Sequence, residues 1–235
     1  MRLGIMQPYF LPYIGYFQLL NYCDTFVLYD DVEYTKKGWI TRNRIQFNGD
    51  IRLFSLNLKK DSDYLSIKDR SLAESFNRSK LLRSFEEVLR KTPHYDETIA
   101  LLRPIVSYAS NDLFPYLENS IALVCQQLGA TTKLVKSSDL DIDPGLRGQQ
   151  RVLEICSRLN AEEYVNPIGG IDLYDVTSFN NRGLNLRFIK SRLSSYNQGN
   201  FDFIPALSIV DQIAFCGLAE TALAMANDFD LVNVK

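Results

Sequence analysis

Short apolar runs alternate along the chain with stretches whose apolar residues recur every three or four positions. "RLGIM", residues 2–6, is short and apolar and predicts a buried strand. In "IGYFQLLNY" the apolar Ile14, Phe17 and Leu20 lie three apart, which predicts a helix. "DTFVLYDD" then predicts a second strand with Asp30 and Asp31 at its carboxyl end. Strand, helix and strand within about 30 residues form a βαβ unit, whose two strands are parallel.

"RIQFNGDIRLFSLNL" breaks that rhythm. Asn48-Gly49 between two alternating runs predicts a β-hairpin. "SKLLRSFEEVLRKTP" reads as an amphipathic helix stopped before Pro93. "TIALLRPIVSYA" and "NDLFPYLENSIALVCQQLG" read as two more, the latter running from an Asn111 cap to Gly129. "TKLVKSS", "EEYVN" and "GLNLRFIKS" predict strands, with the helix "QQRVLEICSRLNA" after the first of them. "SIVDQIAFCGLAETALAMAN" is the last long helix. The expectation is one α/β domain over residues 1–235. It has a mainly parallel sheet, a hairpin and a helical insertion at about 72–130, with two lobes meeting near 130 as the alternative. Met6, Asp30 and Asn166 should share one sheet edge.

That edge concentrates the candidate chemistry, because open α/β sheets bind ligands at the carboxyl ends of their strands. Gln7 offers an amide, Pro8 and Pro12 stiffen the turn, and Gly15 admits close backbone. The free N–H groups opening the first helix suit an anion. Tyr13 and Tyr16 share a helix face there; together with Tyr9 they either touch ligand or pack the corner. Asp30 and Asp31 suit accepting from a sugar hydroxyl, activating an amine or holding Mg²⁺. The loop holding Tyr34, Lys36, Trp39, Asn43 and Arg44 suits a mobile lid. "NPIGGIDLY" supplies Asn166, Gly169, Gly170 and Tyr174 at another strand end; an ordinary turn is the alternative. Tyr196, Gln198, Ser208 and Asp211 precede or open the last helix, where Ser208 and Asp211 form a capping pattern or a set of ligand donors.

With 46% hydrophobic residues the chain can bury a large core. A net charge of -2 argues against nucleic acid as the main partner. The local cluster Lys36, Lys37, Arg42 and Arg44 suits one phosphate or carboxylate. Cys23, Cys125, Cys156 and Cys216 lack zinc-type spacing and read as reduced core residues of a cytoplasmic protein. The lone His94 reads as a solvated loop residue, and no metal site of several histidines can form. No signal peptide is expected, and no apolar run is expected to approach the roughly 20 residues of a membrane span.

Two resemblances sharpen this picture. "PYIGYFQLL" after the first strand resembles the His-x-Gly-His segment of nucleotidylyltransferases and pantothenate synthetases, with Tyr13 and Tyr16 in the histidine slots. It implies a Rossmann-like fold; a phenol, however, brings no positive charge to a phosphate. Over most of the chain, "MQPYFLPYIGYFQLL", "DTFVLYDDVEYTKKGWITRNRI", "RVLEICSRLNAEEYVNPIGGIDLYD" and "FIKSRLSSYNQGNFDFIPALSIVDQIAFCG" resemble the WbqC-like family of bacterial proteins. Departures fall at "NPIGG" and "RGQQR". The resemblance implies a cytoplasmic acyl or aminoacyl transferase, with glycine as one candidate group, modifying a nucleotide-linked amino sugar in O-antigen or other surface-polysaccharide synthesis. The alternatives are an ATP- and Mg-using adenylyl-transfer enzyme or ligase, and a nucleotide-sugar-binding module without catalysis.

Overall fold

The computed structural model describes residues 1–233; the last two residues of the expected 1–235 domain lie outside them. Elements follow the order β1 (Arg2–Met6), α1 (Ile14–Tyr22), β2 (Thr25–Leu28), β3 (Arg42–Phe47), β4 (Asp50–Ser55), α2 (Arg78–Leu89), α3 (Tyr95–Val106), α4 (Leu113–Gln127), β5 (Lys133–Lys136), α5 (Gly148–Arg158), β6 (Glu163–Pro167), α6 (Val176–Asn180), β7 (Asn185–Ser191), α7 (Ile209–Asn227) and β8 (Phe229–Asn233).

Six strands form one sheet in the order β5-β2-β1-β6-β7-β8. Neighbours are parallel except β8, which runs antiparallel to β7. Numbered within the sheet, this order is 3-2-1-4-5-6, the doubly wound Rossmann-like arrangement. Chain direction across the sheet reverses between β1 and β6, so the crevice outside their carboxyl ends is the expected ligand position. Leu3 pairs with Thr25 and Met6 with Leu28, as the βαβ pattern predicts.

Side chains on the strands alternate between two cores. Phe26 and Leu28 join Phe17 and Leu20 of α1, Ile213 of α7 and the α2–α4 helices on one face. Leu3, Ile5 and Val27 join Val152 and Ile155 of α5 and Phe179 of α6 on the other. The hairpin β3–β4 forms its own two-stranded sheet, turning at Asn48 and Gly49, both at positive φ. Its backbone N–H at Gln46 donates to the buried Asp211 of α7.

The structure differs from the sequence reading in several details. α4 is capped at Asp112, one residue after the expected Asn111. β8 and α6 are additional elements; their short segments carry too few residues to show a period. α7 is also long and apolar enough to cross a membrane by length and composition, correcting the expectation that no run comes near that length. Here its apolar residues pack on α1 and α3. Gly217, at φ 82 and ψ 168, breaks the helix, and Leu218 N restarts it by donating to Glu97 Oε2 at 2.9 Å. The broken region faces His94, whose ring fills the space a Gly217 side chain would need.

Candidate functional site

A wide cavity, about 760 Å³, opens between the segment after β2, the start of α5 and the turn at Leu173 and Tyr174. Tyr29, Asp31, Lys68, Arg147, Arg151 and Tyr174 line it, with Gly148 at the amino end of α5. That size suits a substrate of cofactor dimensions.

Asp30 and Asp31 are adjacent but differ in surroundings. Asp30 is 1% exposed. Its carboxylate accepts from Ser137 Oγ at 2.9 Å, from Ser138 N at 3.0 Å and from Ser138 Oγ at 2.7 Å. It ties the end of β2 to the turn after β5. Asp31 accepts from Ser137 Oγ at 2.5 Å and from Arg151 Nη2 at 2.6 Å. Its side chain keeps 18% exposure and lines the cavity. One Ser137 hydroxyl hydrogen thus serves two carboxylates, so only one can hold it at a time. Arg151 itself is 5% exposed, lies 5.6 Å from the Tyr29 ring centroid, and has a buried Nε with no partner.

Leu173 and Tyr174, beyond the turn after β6, supply the far wall. Asn166 donates through Nδ2 to Tyr164 Oη at 2.8 Å, and Tyr164 Oη lies 3.0 Å from Tyr174 Oη. This chain fixes Tyr174 against the cavity. Gly170 is required because a side chain there would overlap Asn166 Oδ1, whereas Gly169 meets open space. Burial raises the phenols of Tyr29 and Tyr174 above their ordinary range, so both stay protonated at neutral pH.

A second, smaller slot of about 180 Å³ follows β1, lined by Tyr9, Pro12, Tyr13, Trp39, Asn43, Arg44 and Ala206. Its walls are pinned from behind. Leu11 O accepts from Asn43 Nδ2 at 2.8 Å and from Ser208 Oγ at 2.7 Å, and Pro12 O from Ile209 N at 2.8 Å. Leu11 and Ala206 sit at φ 47 and 55, a left-handed conformation costing on the order of 1–3 kcal/mol for such residues. Arg42 and Arg44 stack over Trp39 at 5.5 and 5.1 Å. Arg42 also donates to Gly38 O and Lys37 O, so the expected lid is tied to β3.

The opening stretch is resolved in detail. Tyr13 caps α1, and its ring occupies the space beside Gly15: a side chain there would overlap it. A phenol therefore covers the first turn of α1, which differs from the open anion site expected there; the helix start bordering the wide cavity is α5. Pro8 is buried. Tyr16 is 3% exposed among Tyr9, Phe17 and Phe26, with no partner for its hydroxyl, and burial pushes that phenol well above its ordinary value. Gln7 Oε1 accepts from Tyr9 Oη at 3.5 Å.

The remaining candidates lie elsewhere. Tyr34 bonds Thr41 Oγ1, stacks under Arg70 and, with Lys36, lines a basic cavity of about 460 Å³ that includes Lys59 and Lys60. Lys36 pairs with Asp63. Tyr196, Gln198 and Asp211 form one buried network: Asp211 Oδ2 accepts from Tyr196 Oη at 2.7 Å and from Gln198 Nε2 at 2.9 Å. Ser208 caps α7. Tyr196 also borders a cavity of about 330 Å³ along α7.

Sequence reasoning missed Ser137 and Ser138 and gave Arg151 no role. "SSD" after a strand was the available signal. Among the described residues no three histidine, cysteine, aspartate or glutamate side chains are grouped to hold a metal. Burial raises the thiols, Cys125 and Cys156 to about 12 and Cys216 to about 11, which leaves them protonated and unreactive.

An uncharacterized protein of Mycobacterium tuberculosis, Rv1507c, is 26% identical over 213 residues, covering 89% of this chain and 91% of its own. No solved structure matches. The model of the WbqC-like protein family matches residues 7–223, and the chain belongs to that family.

Proposed function

We propose that the protein is a cytoplasmic transferase of surface-polysaccharide biosynthesis that moves an acyl or aminoacyl group, glycine among the candidates, onto the amine of a nucleotide-linked sugar. Family membership suggests the polysaccharide role. The observation that carries the chemistry is the wide cavity between the segment after β2 and the start of α5, where the half-open Asp31 is oriented by Ser137 and Arg151. A carboxylate there accepts a hydrogen bond from the sugar's amine and points its lone pair at the donor carbonyl. In the transfer, the nitrogen–carbonyl bond forms, the bond from the acyl carbon to its leaving group breaks, and one amine proton departs, with Asp31 as its acceptor. Lys68, Arg147 and the amino end of α5 border the same cavity and suit the diphosphate.

The test is incubation of the purified protein with uridine- and thymidine-diphosphate amino sugars and an aminoacyl or acyl thioester. The expected product gains one acyl group on the amine, seen by mass spectrometry, with equimolar release of free thiol. Activity only when ATP is added, with release of AMP, would assign an adenylating ligase instead. Tight binding with no product from any donor would assign a binding module.

A further inference from the structure

We propose that the slot beside Trp39 seats the base of a nucleotide ligand; this deepens the reading of the protein as acting on nucleotide-linked sugars. Three features of the slot lead there. At about 180 Å³ it is smaller than the roughly 300–1,000 Å³ of sites that enclose a drug-sized molecule, so it takes a single ring. Its walls are Tyr9, Tyr13, Trp39 and Pro12, which offer flat apolar faces to a flat guest. The charged groups bordering it are donors: the Arg44 guanidinium in the lining and Arg42 on the other contact to the indole.

That last feature separates a base from a sugar. A pyranose carries hydroxyls that both donate and accept, and its sites supply acceptors to match. Here Asn43 gives one amide hydrogen to Leu11 O and accepts from Arg44 N, and no carboxylate lines the slot. With no carboxylate there, the Arg44 donors and the aromatic faces complement a planar ring with carbonyl or ring-nitrogen acceptors on its edge. Arg44 has capacity for it: a guanidinium carries five N–H donors, and Nη2 gives one of them to Ala206 O at 3.3 Å.

The slot is also rigid before any ligand arrives. Two residues beside it or in it, Leu11 and Ala206, have left-handed backbone whose carbonyls accept from Asn43 and Arg44 of β3 and, at Leu11, from the α7 cap Ser208. Gly15 is kept bare so that the Tyr13 ring can lie in place. Strain and a reserved glycine around one small aromatic space are what a preorganised ring seat requires.

Trp39 is the sole tryptophan and is 42% exposed, so its emission reports on the slot directly. The experiment titrates the protein with uridine 5′-monophosphate and adenosine 5′-monophosphate, with ribose 5-phosphate as the baseless control. The expected result is saturable quenching by at least one mononucleotide, none by ribose 5-phosphate, and at least tenfold weaker binding in Tyr13→Leu and in Arg44→Gln. Trp39→Leu, at an exposed position, guards against misfolding: calorimetry should show at least a tenfold loss of mononucleotide affinity with an unchanged circular dichroism spectrum. Silence of Trp39 toward both mononucleotides, equal quenching by ribose 5-phosphate, or full affinity in the variants overturns the proposal. Acyl transfer with a silent Trp39 would remove this seat and keep the function. Quenching with no transfer would do the reverse.

Discussion

Asp31 Oδ2 lies 2.6 Å from Arg151 Nη2, joining the end of β2 to the first turn of α5 at the wall of the wide cavity. The pair is unequal: the Arg151 side chain is 6% exposed and that of Asp31 18%. Removing one partner of a buried pair strands the other charge and costs about 3–5 kcal/mol. Asp31→Asn keeps an oxygen for Arg151, whereas Asp31→Ala does not. Urea unfolding should therefore show Asp31→Ala clearly less stable than Asp31→Asn. Equal loss in both would mean that the retained oxygen does not serve Arg151, and no loss in either that the pair contributes nothing to folding.

Asp211 is fully buried and joins the hairpin, α7 and the segment before it by accepting from Gln46 N, Tyr196 Oη and Gln198 Nε2. Asp211→Ala strands Gln46 N and Tyr196 Oη at about 1–3 kcal/mol each, while Gln198 Nε2 keeps Tyr196 Oη and Ile204 O, so a loss of at least about 2 kcal/mol is expected in urea unfolding. Desolvation raises the Asp211 carboxyl above its ordinary 3.8, outweighing those three hydrogen bonds. The folded state then holds the proton more tightly than the unfolded state. This group's contribution is fully present below 3.8 and declines as pH rises through its folded value. The stability difference between wild type and Asp211→Asn should shrink with rising pH across that window. A difference that grows with pH would mean the hydrogen bonds win and the carboxyl is depressed.

Gly217 has backbone that only glycine adopts readily, and a side chain there would meet His94 Cε1 at 2.7 Å. Gly217→Ala should cost roughly 2–4 kcal/mol from backbone strain and overlap together. Adding His94→Ala removes the overlap and leaves the strain, so the double variant should recover part of the loss. Strict additivity in the thermal unfolding of the four proteins would place His94 outside this kink.

Much of this architecture is legible in the sequence. Apolar runs and three-residue spacings mark the strands and helices of the main sheet, and Asn48-Gly49 marks the hairpin. β8 escapes because "FDLVN" is too short to show a period, and it pairs only through the antiparallel edge of β7. The site is legible in part. Asp31, Asn166 and Tyr174 follow strands, and strand ends are where such sheets hold ligands. What no local pattern carries is pairing over distance: Ser137 and Arg151 lie 106 and 120 residues from Asp31. Nor does spacing reveal that Tyr13 lies across Gly15 while Tyr16 turns into the core.

Gly15→Ala separates fold from binding. The methyl gains helix propensity of about 1 kcal/mol, and the atoms it meets are the far end of the Tyr13 side chain, which must turn away to admit it. Melting temperature should hold or rise slightly while mononucleotide quenching of Trp39 weakens several-fold. Unaltered quenching would show that the position of Tyr13 is irrelevant to the slot.

In the proposed reaction Asp31 recognises a free amine on a nucleotide-linked sugar. Calorimetry with uridine- and thymidine-diphosphate amino sugars, each as the free amine and as its N-acetyl counterpart, tests it directly on wild type and Asp31→Asn. A charged or strongly donating amine on a half-buried carboxylate is worth about 1.5–3 kcal/mol. The account predicts that wild type prefers the free amine about tenfold or more and that Asp31→Asn binds both forms alike. A preference that survives Asp31→Asn, or no preference in wild type, would contradict it.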